Sequence, residues 1–296
     1  MKTNNFFLTA AVVLATALTG AMMTSCSKID IPVADNDGNP PLPKGKTVKL
    51  DTLSADYVAQ DGETLTGPLK EKYKISIANG ATVTLSGVLI DGGITCLGDA
   101  TIILADDMNN TVNGLDEGQP GIQAGGMGTT LTIRGEKNST GKLSATGGYD
   151  AAGIGSRAEG SCGDITIEGG KITATGGNFG AGIGSGRDGS CGDITIKGGE
   201  ITATGGDLAA GIGTGFSGEC GTITISKPAS GTAMGGDGVY DIGAGKDSDC
   251  GEVSVEAETI KGSWDDDSPE DDPIGGGTGD SPYGGEGTII VHAGAK

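Results

Sequence analysis

The chain lacks most of the side chains that build an ordinary globular core or an acid–base active site. Aromatic residues make up 3% of its 296 residues, and there is one Trp and one His. So few large side chains cannot fill a jigsaw-packed core, and a layered array of small and β-branched residues is expected instead. Glycine is abundant, with 59 residues, but it follows no Gly-X-Y period, which excludes collagen.

Positive charge is also scarce. The chain has 19 Lys and Arg against 39 Asp and Glu, which gives a formal net charge of −20. A surface this negative repels a phosphate backbone and an anionic lipid leaflet, so we expect no nucleic-acid partner. The same charge keeps a flat, repetitive surface soluble.

Motifs for catalysis and for zinc are missing as well. No Cys-x-x-Cys pair occurs, and no segment has the G-x-x-x-x-G-K-S/T spacing of a phosphate-binding loop. Arg157 and Arg187 fall in equivalent loops near Glu159 and Asp188, which favours charge pairing at the surface. We therefore expect no enzymatic activity. The alternative is a calcium-dependent enzyme like a polysaccharide lyase, which would combine calcium-binding carboxylates with a basic residue in a cleft.

The N-terminus has the pattern of an export signal. Lys2 precedes a long apolar segment, residues 6–23, and the segment leads into Met23-Thr24-Ser25-Cys26. This string resembles the bacterial lipobox, in which a peptidase cuts before a cysteine that then carries lipid. We therefore predict a lipoprotein signal peptide at 1–25, a lipidated Cys26 that binds the membrane, and a Pro-rich tether at 26–46. The predicted location is the outer membrane, at the cell surface.

A repeat governs the rest of the chain. Ile154, Ile183, Ile212 and Ile242 recur at a nearly constant interval. Within each period, A-G-I-G, D-I-T-I and I-T-A-T segments alternate with glycine-rich corners. This pattern predicts an all-β fold in which residues 47–296 form a single-domain, right-handed parallel β-helix. We expect eight or nine coils of about 29 residues each, with three short strands per coil.

The unit A-G-I-G-S…C-G-D-I-T-I-x-G-G-x-I-T-A-T-G-G resembles the glycine-rich β-helix repeats of surface and secreted proteins from gut bacteria. Many of those proteins are labelled carbohydrate-binding or adhesin-like. The resemblance covers about residues 75–296, and such repeats share no catalytic motif. It implies a surface lipoprotein that acts as a binding or adhesion module, with a glycan or another surface protein as ligand. A structural spacer is a further alternative.

Candidate ligand-binding residues lie on the outward side of the strands and in one insertion. Strand side chains alternate, so the threonines of the I-T-A-T segments are expected to face water. The only tryptophan, Trp264, stands in an insertion and offers a ring on which a sugar could stack. The candidates are Trp264, Thr173, Thr175, Thr202 and Thr204.

Calcium is the one cofactor that the sequence suggests. Carboxylates repeat after the Cys-Gly pair, and others crowd the insertion beside Trp264, where they could supply oxygen ligands. In the alternative, the repeated carboxylates accept turn amide hydrogens and the insertion is a solvated acidic loop. The candidates are Asp164, Asp193, Asp265, Asp266, Asp267, Glu270, Asp271 and Asp272.

A column of cysteines completes the set of candidate residues. Cys162, Cys191, Cys220 and Cys250 follow the same intervals as the isoleucines. Side chains of an in-register ladder point the same way, which favours buried free thiols that fill a corner of each coil. Disulfides between coils are the alternative, since the expected Cα spacing permits them.

Overall fold

The computed structural model describes residues 45–70, 72–115, 117–256, 260–262, 274–275 and 289–292. These residues belong to one compact unit, Pro43–Lys296. Apart from a 3₁₀ turn at Leu50–Thr52, their regular structure is β-strand. No helix within these ranges has the length and apolar character needed to cross a membrane.

Short alternating segments form the strands of the N-terminal half. In chain order they are β1 (Thr47–Lys49), β2 (Tyr57–Ala59), β3 (Thr64–Pro68), β4 (Ile75–Ile77), β5 (Ala81–Asp91), β6 (Ile94–Cys96), β7 (Ala100–Leu104), β8 (Asn109–Asn113), β9 (Ile122–Gln123), β10 (Thr130–Gly135), β11 (Lys142–Thr146) and β12 (Ile154–Gly155).

The explicit repeats form the strands of the second half. They are β13 (Asp164–Ile167), β14 (Lys171–Thr175), β15 (Ile183–Gly184), β16 (Ser190–Cys191), β17 (Ile194–Ile196), β18 (Glu200–Thr204), β19 (Ile212–Gly213), β20 (Glu219–Cys220), β21 (Ile223–Ile225), β22 (Ser230–Met234), β23 (Ile242–Gly243), β24 (Asp249–Cys250), β25 (Val253–Glu256), β26 (Ile260–Gly262), β27 (Ile274–Gly275) and β28 (Ile289–His292).

One side of every described coil belongs to a nine-stranded sheet, which we call the short-strand sheet. Its order is β2-β4-β6-β9-β12-β15-β19-β23-β27, and all its pairs are parallel. From β4 onward the same residue type is paired at every step, in the file Ile75, Ile94, Ile122, Ile154, Ile183, Ile212, Ile242 and Ile274. Nine parallel levels along one chain confirm the predicted parallel β-helix and the predicted number of coils.

The other two sides are the arms of a 16-stranded sheet that meet at β5. Ala81–Leu85 of this long strand pairs with β7, whereas Leu89–Asp91 pairs with β8. The ITI face runs from β7 through β10, β13, β17, β21 and β25 to β28, and the TAT face from β8 through β11, β14, β18 and β22 to β26. Because β5 contributes one half to each arm of the sheet, the coils gain their third side at β5.

Coil length is less uniform than the repeat suggested. The steps from Tyr57 to its partner Ile75, and from Ile75 to Ile94, are much shorter than the step from Ile154 to Ile183. These early coils have two strands each, and the expected period with three strands holds from the middle of the chain. Later coils add a fourth strand, since β16, β20 and β24 pair in a small sheet that carries cysteines.

Isoleucine and other aliphatic side chains fill the interior of the coils. In β17, Ile194 and Ile196 have no exposed surface, while Thr195 between them is half-buried. Burying each such side chain contributes roughly 1.5–3 kcal/mol. Successive side chains of a strand point to opposite sides. The alternation of isoleucine and threonine therefore places apolar side chains in the interior and hydroxyls on the outer surface.

Glycine is required where the short strands stack. Gly155, Gly184, Gly213 and Gly243 have φ between 132° and 141°, a region that side chains with a Cβ rarely adopt. A Cβ placed on Gly184 would lie 1.8 Å from the carbonyl oxygen of Gly213 in the next coil. The position therefore tolerates no side chain, for reasons of both conformation and space.

We expect Gly184→Ala to lower the free energy of unfolding by roughly 3 kcal/mol or more, from backbone strain and the clash with Gly213. Urea unfolding followed by circular dichroism measures this. Gly126→Ala is the matched control, because a Cβ there meets no atom within 4 Å. Equal unfolding midpoints for the two variants would contradict the stacking argument.

Candidate functional site

Several predicted residues lie outside the described part of the chain. Cys26 and the signal peptide precede it, and Trp264 with its neighbouring carboxylates falls between described segments. Lipidation, sugar stacking on Trp264 and calcium binding at the insertion therefore stay predictions. The carboxylates concerned are Asp265, Asp266, Asp267, Glu270, Asp271 and Asp272.

The threonines of the TAT face lie on the outer surface in register. Thr173 pairs with Thr202, and Thr175 with Thr204, while the alanines between them are buried. Thr173 and Thr202 are exposed, and Thr175 and Thr204 are half-buried. The resulting surface is flat and carries hydroxyls, but Met234 replaces threonine in the next coil of one file.

Asp164 and Asp193 hold the backbone of the following coil. Asp164 Oδ1 accepts a hydrogen bond from the Asp193 amide at 2.9 Å, and Asp193 Oδ1 accepts one from the Thr222 amide at 2.7 Å. Within the described ranges no three His, Cys, Asp or Glu side chains are grouped to hold a metal ion. These contacts fit the turn-amide alternative, and the calcium prediction at these two residues remains a prediction.

Cys191, Cys220 and Cys250 stack in register on β16, β20 and β24, and the sulfurs of the four cysteines approach one another in two close pairs. The Cys162 and Cys191 sulfurs are 2.9 Å apart, and those of Cys220 and Cys250 are 2.7 Å apart. All four are free thiols, as is Cys96 in an earlier coil. The neighbouring thiol and burial raise the pKa of Cys191 and of Cys220 well above the ordinary value, and burial raises that of Cys96 to about 12.

A cleft of about 610 Å³ lies on the outer side of the short-strand sheet, over its N-terminal coils. We call it the basic cleft. Its floor is a file of polar side chains in register, Ser76 on β4, Thr95 on β6 and Gln123 on β9. Each is half-buried, while the adjacent isoleucines point inward and are fully buried.

The polar floor exists because β4, β6 and β9 lack the glycine that the later short strands carry at the paired position. In later coils the residue that pairs in the same file is glycine, beginning with Gly155 on β12, so no side chains project there. The polar file therefore stops at Gln123, and the cleft is confined to coils whose sequence departs from the repeat.

Basic and apolar side chains form the walls of the cleft. The segment between β3 and β4 contributes Leu69, Lys70, Lys72, Tyr73 and Lys74. Leu115, Gln119, Asp91 and Arg157 line the cleft from later in the chain. Tyr73 is half-buried, which limits the freedom of its ring.

Most of these cations make no ion pair with a described residue. Lys70 lies 3.6 Å from a carboxylate oxygen of Asp51, but Lys72, Lys74 and Arg157 make no ion pair with another described residue. Asp91 is the single described carboxylate of the lining, and its Oδ1 accepts a hydrogen bond from the Asn113 side-chain amide at 2.9 Å. The described lining is therefore locally positive.

A row of aromatic rings extends from the cleft along the coils. The Tyr149 and Phe179 ring centroids are 6.4 Å apart, and those of Phe179 and Phe216 are 5.8 Å apart. Gly148 donates a backbone hydrogen bond to the carbonyl of Gln119, which places the row one coil beyond that cleft residue. Tyr149 is 52% exposed, so part of its ring is in contact with solvent.

Arg187 pairs with acids as the sequence predicted, but Arg157 does not pair with any described acid. Arg187 lies 2.9 Å from Asp150, 3.5 Å from Glu159 and 3.3 Å from Asp188, measured between nitrogen and carboxylate oxygen. Burial raises the pKa of Asp150, and the Arg187 charge opposes this shift. Arg157, one residue out of register with Arg187, lines the basic cleft instead.

The repeat pattern of the sequence did not predict the cleft. One signal was available, since Lys70, Lys72 and Lys74 crowd into one short segment of a chain in which acids outnumber bases. Their partners in the lining come from much later in the sequence, so the cluster alone did not indicate a concave site.

Comparison with known proteins supports the fold class. The model of the Beta helix repeat family matches residues 165–187 and 194–216, which include β14, β15, β18 and β19. The chain is thus a parallel β-helix protein by both strand topology and repeat sequence. No curated protein matches it significantly, and neither does any solved structure.

We expect the thiols to be protonated and unreactive in the folded protein. Because thiolate is the reactive form, a pKa raised to about 12 keeps Cys96 inert at about pH 8. A Cys26→Ser variant, prepared without reductant, should react with DTNB at all five remaining cysteines only after denaturation. Reaction at a single cysteine after denaturation would instead indicate two disulfides between coils.

Proposed function

We propose that the protein is an exported, lipid-anchored β-helix of the cell surface that binds glycan in the basic cleft without transforming it. The observation that carries the proposal is the cleft itself, about 610 Å³ in volume with its floor on three paired strands. Its volume lies within the roughly 300–1,000 Å³ of typical ligand pockets. Strands hold such a site more rigidly than loops do.

The chemistry of the lining suits a sugar. The hydroxyls of Ser76 and Thr95 and the amides of Gln119 and Gln123 can each donate and accept hydrogen bonds, as sugar hydroxyls require. Tyr73 offers a ring with little conformational freedom to lose, against which the C–H face of a sugar can pack.

The carboxylates and imidazoles of the described lining bear on binding without turnover. The described lining includes no His or Cys, and its one carboxylate, Asp91, is engaged with Asn113. Hydrolysis of a glycosidic bond ordinarily uses two carboxyl groups on opposite sides of the bond. The described part of the cleft therefore suits recognition better than hydrolysis.

A lyase-like enzyme is the second candidate, and one observation favours it. Lys72, Lys74 and Arg157 stand together in the cleft, where a basic residue could remove a proton from a bound sugar. The carboxylates predicted to bind calcium for such an enzyme lie mostly outside the described residues.

Lipid anchoring would add avidity to weak binding. With Cys26 in a membrane and residues 26–46 as a tether, many copies would share one surface. A polymeric glycan could then engage several clefts at once, which raises the overall affinity without new contacts.

We expect Tyr73→Ala and Gln123→Ala each to weaken glycan binding by about fivefold or more, since each removes a packing or hydrogen-bonding contact of about 1 kcal/mol. A glycan array finds the ligand and isothermal titration calorimetry measures its Kd. Thr202→Ala, on the TAT face, is the control and should bind as the parent protein does.

Two outcomes would contradict this assignment. Loss of binding in Thr202→Ala but not in the cleft variants would move the ligand to the threonine face. Release of unsaturated products from a bound glycan would show that the protein is a lyase.

The lipid anchor has a separate test. Bacteria that express the full chain should incorporate labelled palmitate into it, and Cys26→Ser should abolish both the label and recovery with outer membranes. Unchanged labelling of the variant would exclude Cys26 as the lipidated residue.

A further inference from the structure

We infer that the basic cleft selects acidic saccharides, those whose sugars carry carboxylates, over neutral saccharides of the same size. The inference rests on the proposed glycan binding and names its ligand class. The observation behind the inference is the sign of the charge at the cleft. The chain has a net charge of −20, yet it places several cations together at this one concave site.

The charge of the described lining is opposite to that of the chain. Lys70, Lys72, Lys74 and Arg157 line the cleft with Asp91 as the one carboxylate, whereas acids outnumber bases 39 to 19 in the whole sequence. Glu71 and Asp116 are not among the described residues. At physiological ionic strength charges are screened beyond about 8 Å, so the charges near the cleft, and not the net charge of the chain, set most of the potential that a bound ligand experiences.

Three of the cations are exposed. Lys72, Lys74 and Arg157 make no ion pair with a described acid, so a carboxylate would not have to displace a described one. The planar guanidinium of Arg157 can bind both oxygens of one carboxylate. A neutral sugar can accept hydrogen bonds from these cations but gains no attraction between opposite charges.

The spacing of the cations indicates a short chain and not a single anion. Lys74 immediately precedes β4, and Arg157 follows β12, three steps away through β6 and β9. At about 4.8 Å per step, the two levels are about 14 Å apart along the coil axis. A saccharide that spans the floor between them can place acidic groups at both ends.

The surroundings of the cleft also limit the ligand. Outside it the protein is strongly acidic, so a long, stiff polyanion such as nucleic acid would be repelled wherever it left the cleft. A short acidic segment that fits between Lys74 and Arg157 avoids this repulsion. The site therefore favours short or terminal acidic stretches of a glycan.

The test uses saccharides that differ only in charge. Uronic-acid oligosaccharides of several backbones are each compared with their methyl esters by isothermal titration calorimetry, next to the neutral glycans of the array. We expect at least one acid to bind about 30-fold more tightly than its ester, and the ratio to fall as salt is raised.

Charge-removing variants assign the effect to the cleft. Arg157→Gln and the double variant Lys72→Gln/Lys74→Gln should each lower the acid-to-ester affinity ratio about fivefold or more, because each removes charge that acts on the acid more strongly than on the ester. Lys137→Gln, at an exposed lysine in the turn between β10 and β11, is the matched control and should keep the parent ratio.

The outcomes separate the two proposals. If acids and esters bind equally, or if only neutral glycans bind, the selectivity for acidic saccharides is wrong while glycan binding stands. If no saccharide binds, both are wrong. If Lys137→Gln lowers the acid-to-ester affinity ratio as much as Arg157→Gln does, the assignment of the effect to the cleft is wrong.

Discussion

The close stacking of the short strands is the constraint on which the rest of the molecule depends. Each strand of the short-strand sheet from β12 to β23 presents one isoleucine to the interior and one glycine to the outside, and it pairs with the same two residues of the next coil. The glycine carbonyl of one coil occupies the space where a Cβ of the previous coil would lie. This contact fixes the register of the coils, and with it the direction in which every other strand faces.

The basic cleft arises where that constraint is relaxed. In β4, β6 and β9 the outward position carries Ser76, Thr95 and Gln123, and the early coils are shorter and differently connected. Side chains then project from the sheet, and the segment before β4 supplies a wall. The regular coils thus act as a rigid support, and the irregular coils carry the chemistry. This arrangement follows from repetition itself, because a surface that repeats one rung offers no concave site.

Polar side chains within the repeat serve mainly to join coils. Asp164 and Asp193 accept amide hydrogens from the following coil, and Ser156 and Ser185 each accept one from the amide of a glycine in the following coil. Arg187 ties Asp150 and Glu159 of the preceding coil to Asp188 of its own loop. These contacts satisfy backbone groups at the corners, where no strand can pair them. Asp164 and Asp193, which the sequence offers as calcium ligands, are thus engaged with backbone amides of the protein itself.

The sequence by itself determined the fold class and which strand residues face inward, because a fixed period of isoleucine and glycine permits only stacked coils. It could not determine that the cysteines associate as two pairs, since their even spacing describes a uniform column. Nor could it place Arg157 in one cleft with Lys72 and Lys74, which come much earlier in the chain. Their proximity depends on coils of unequal length that all return to the same sheet. Only the tertiary structure decided the site, because strand pairing, and not sequence distance, sets which side chains meet.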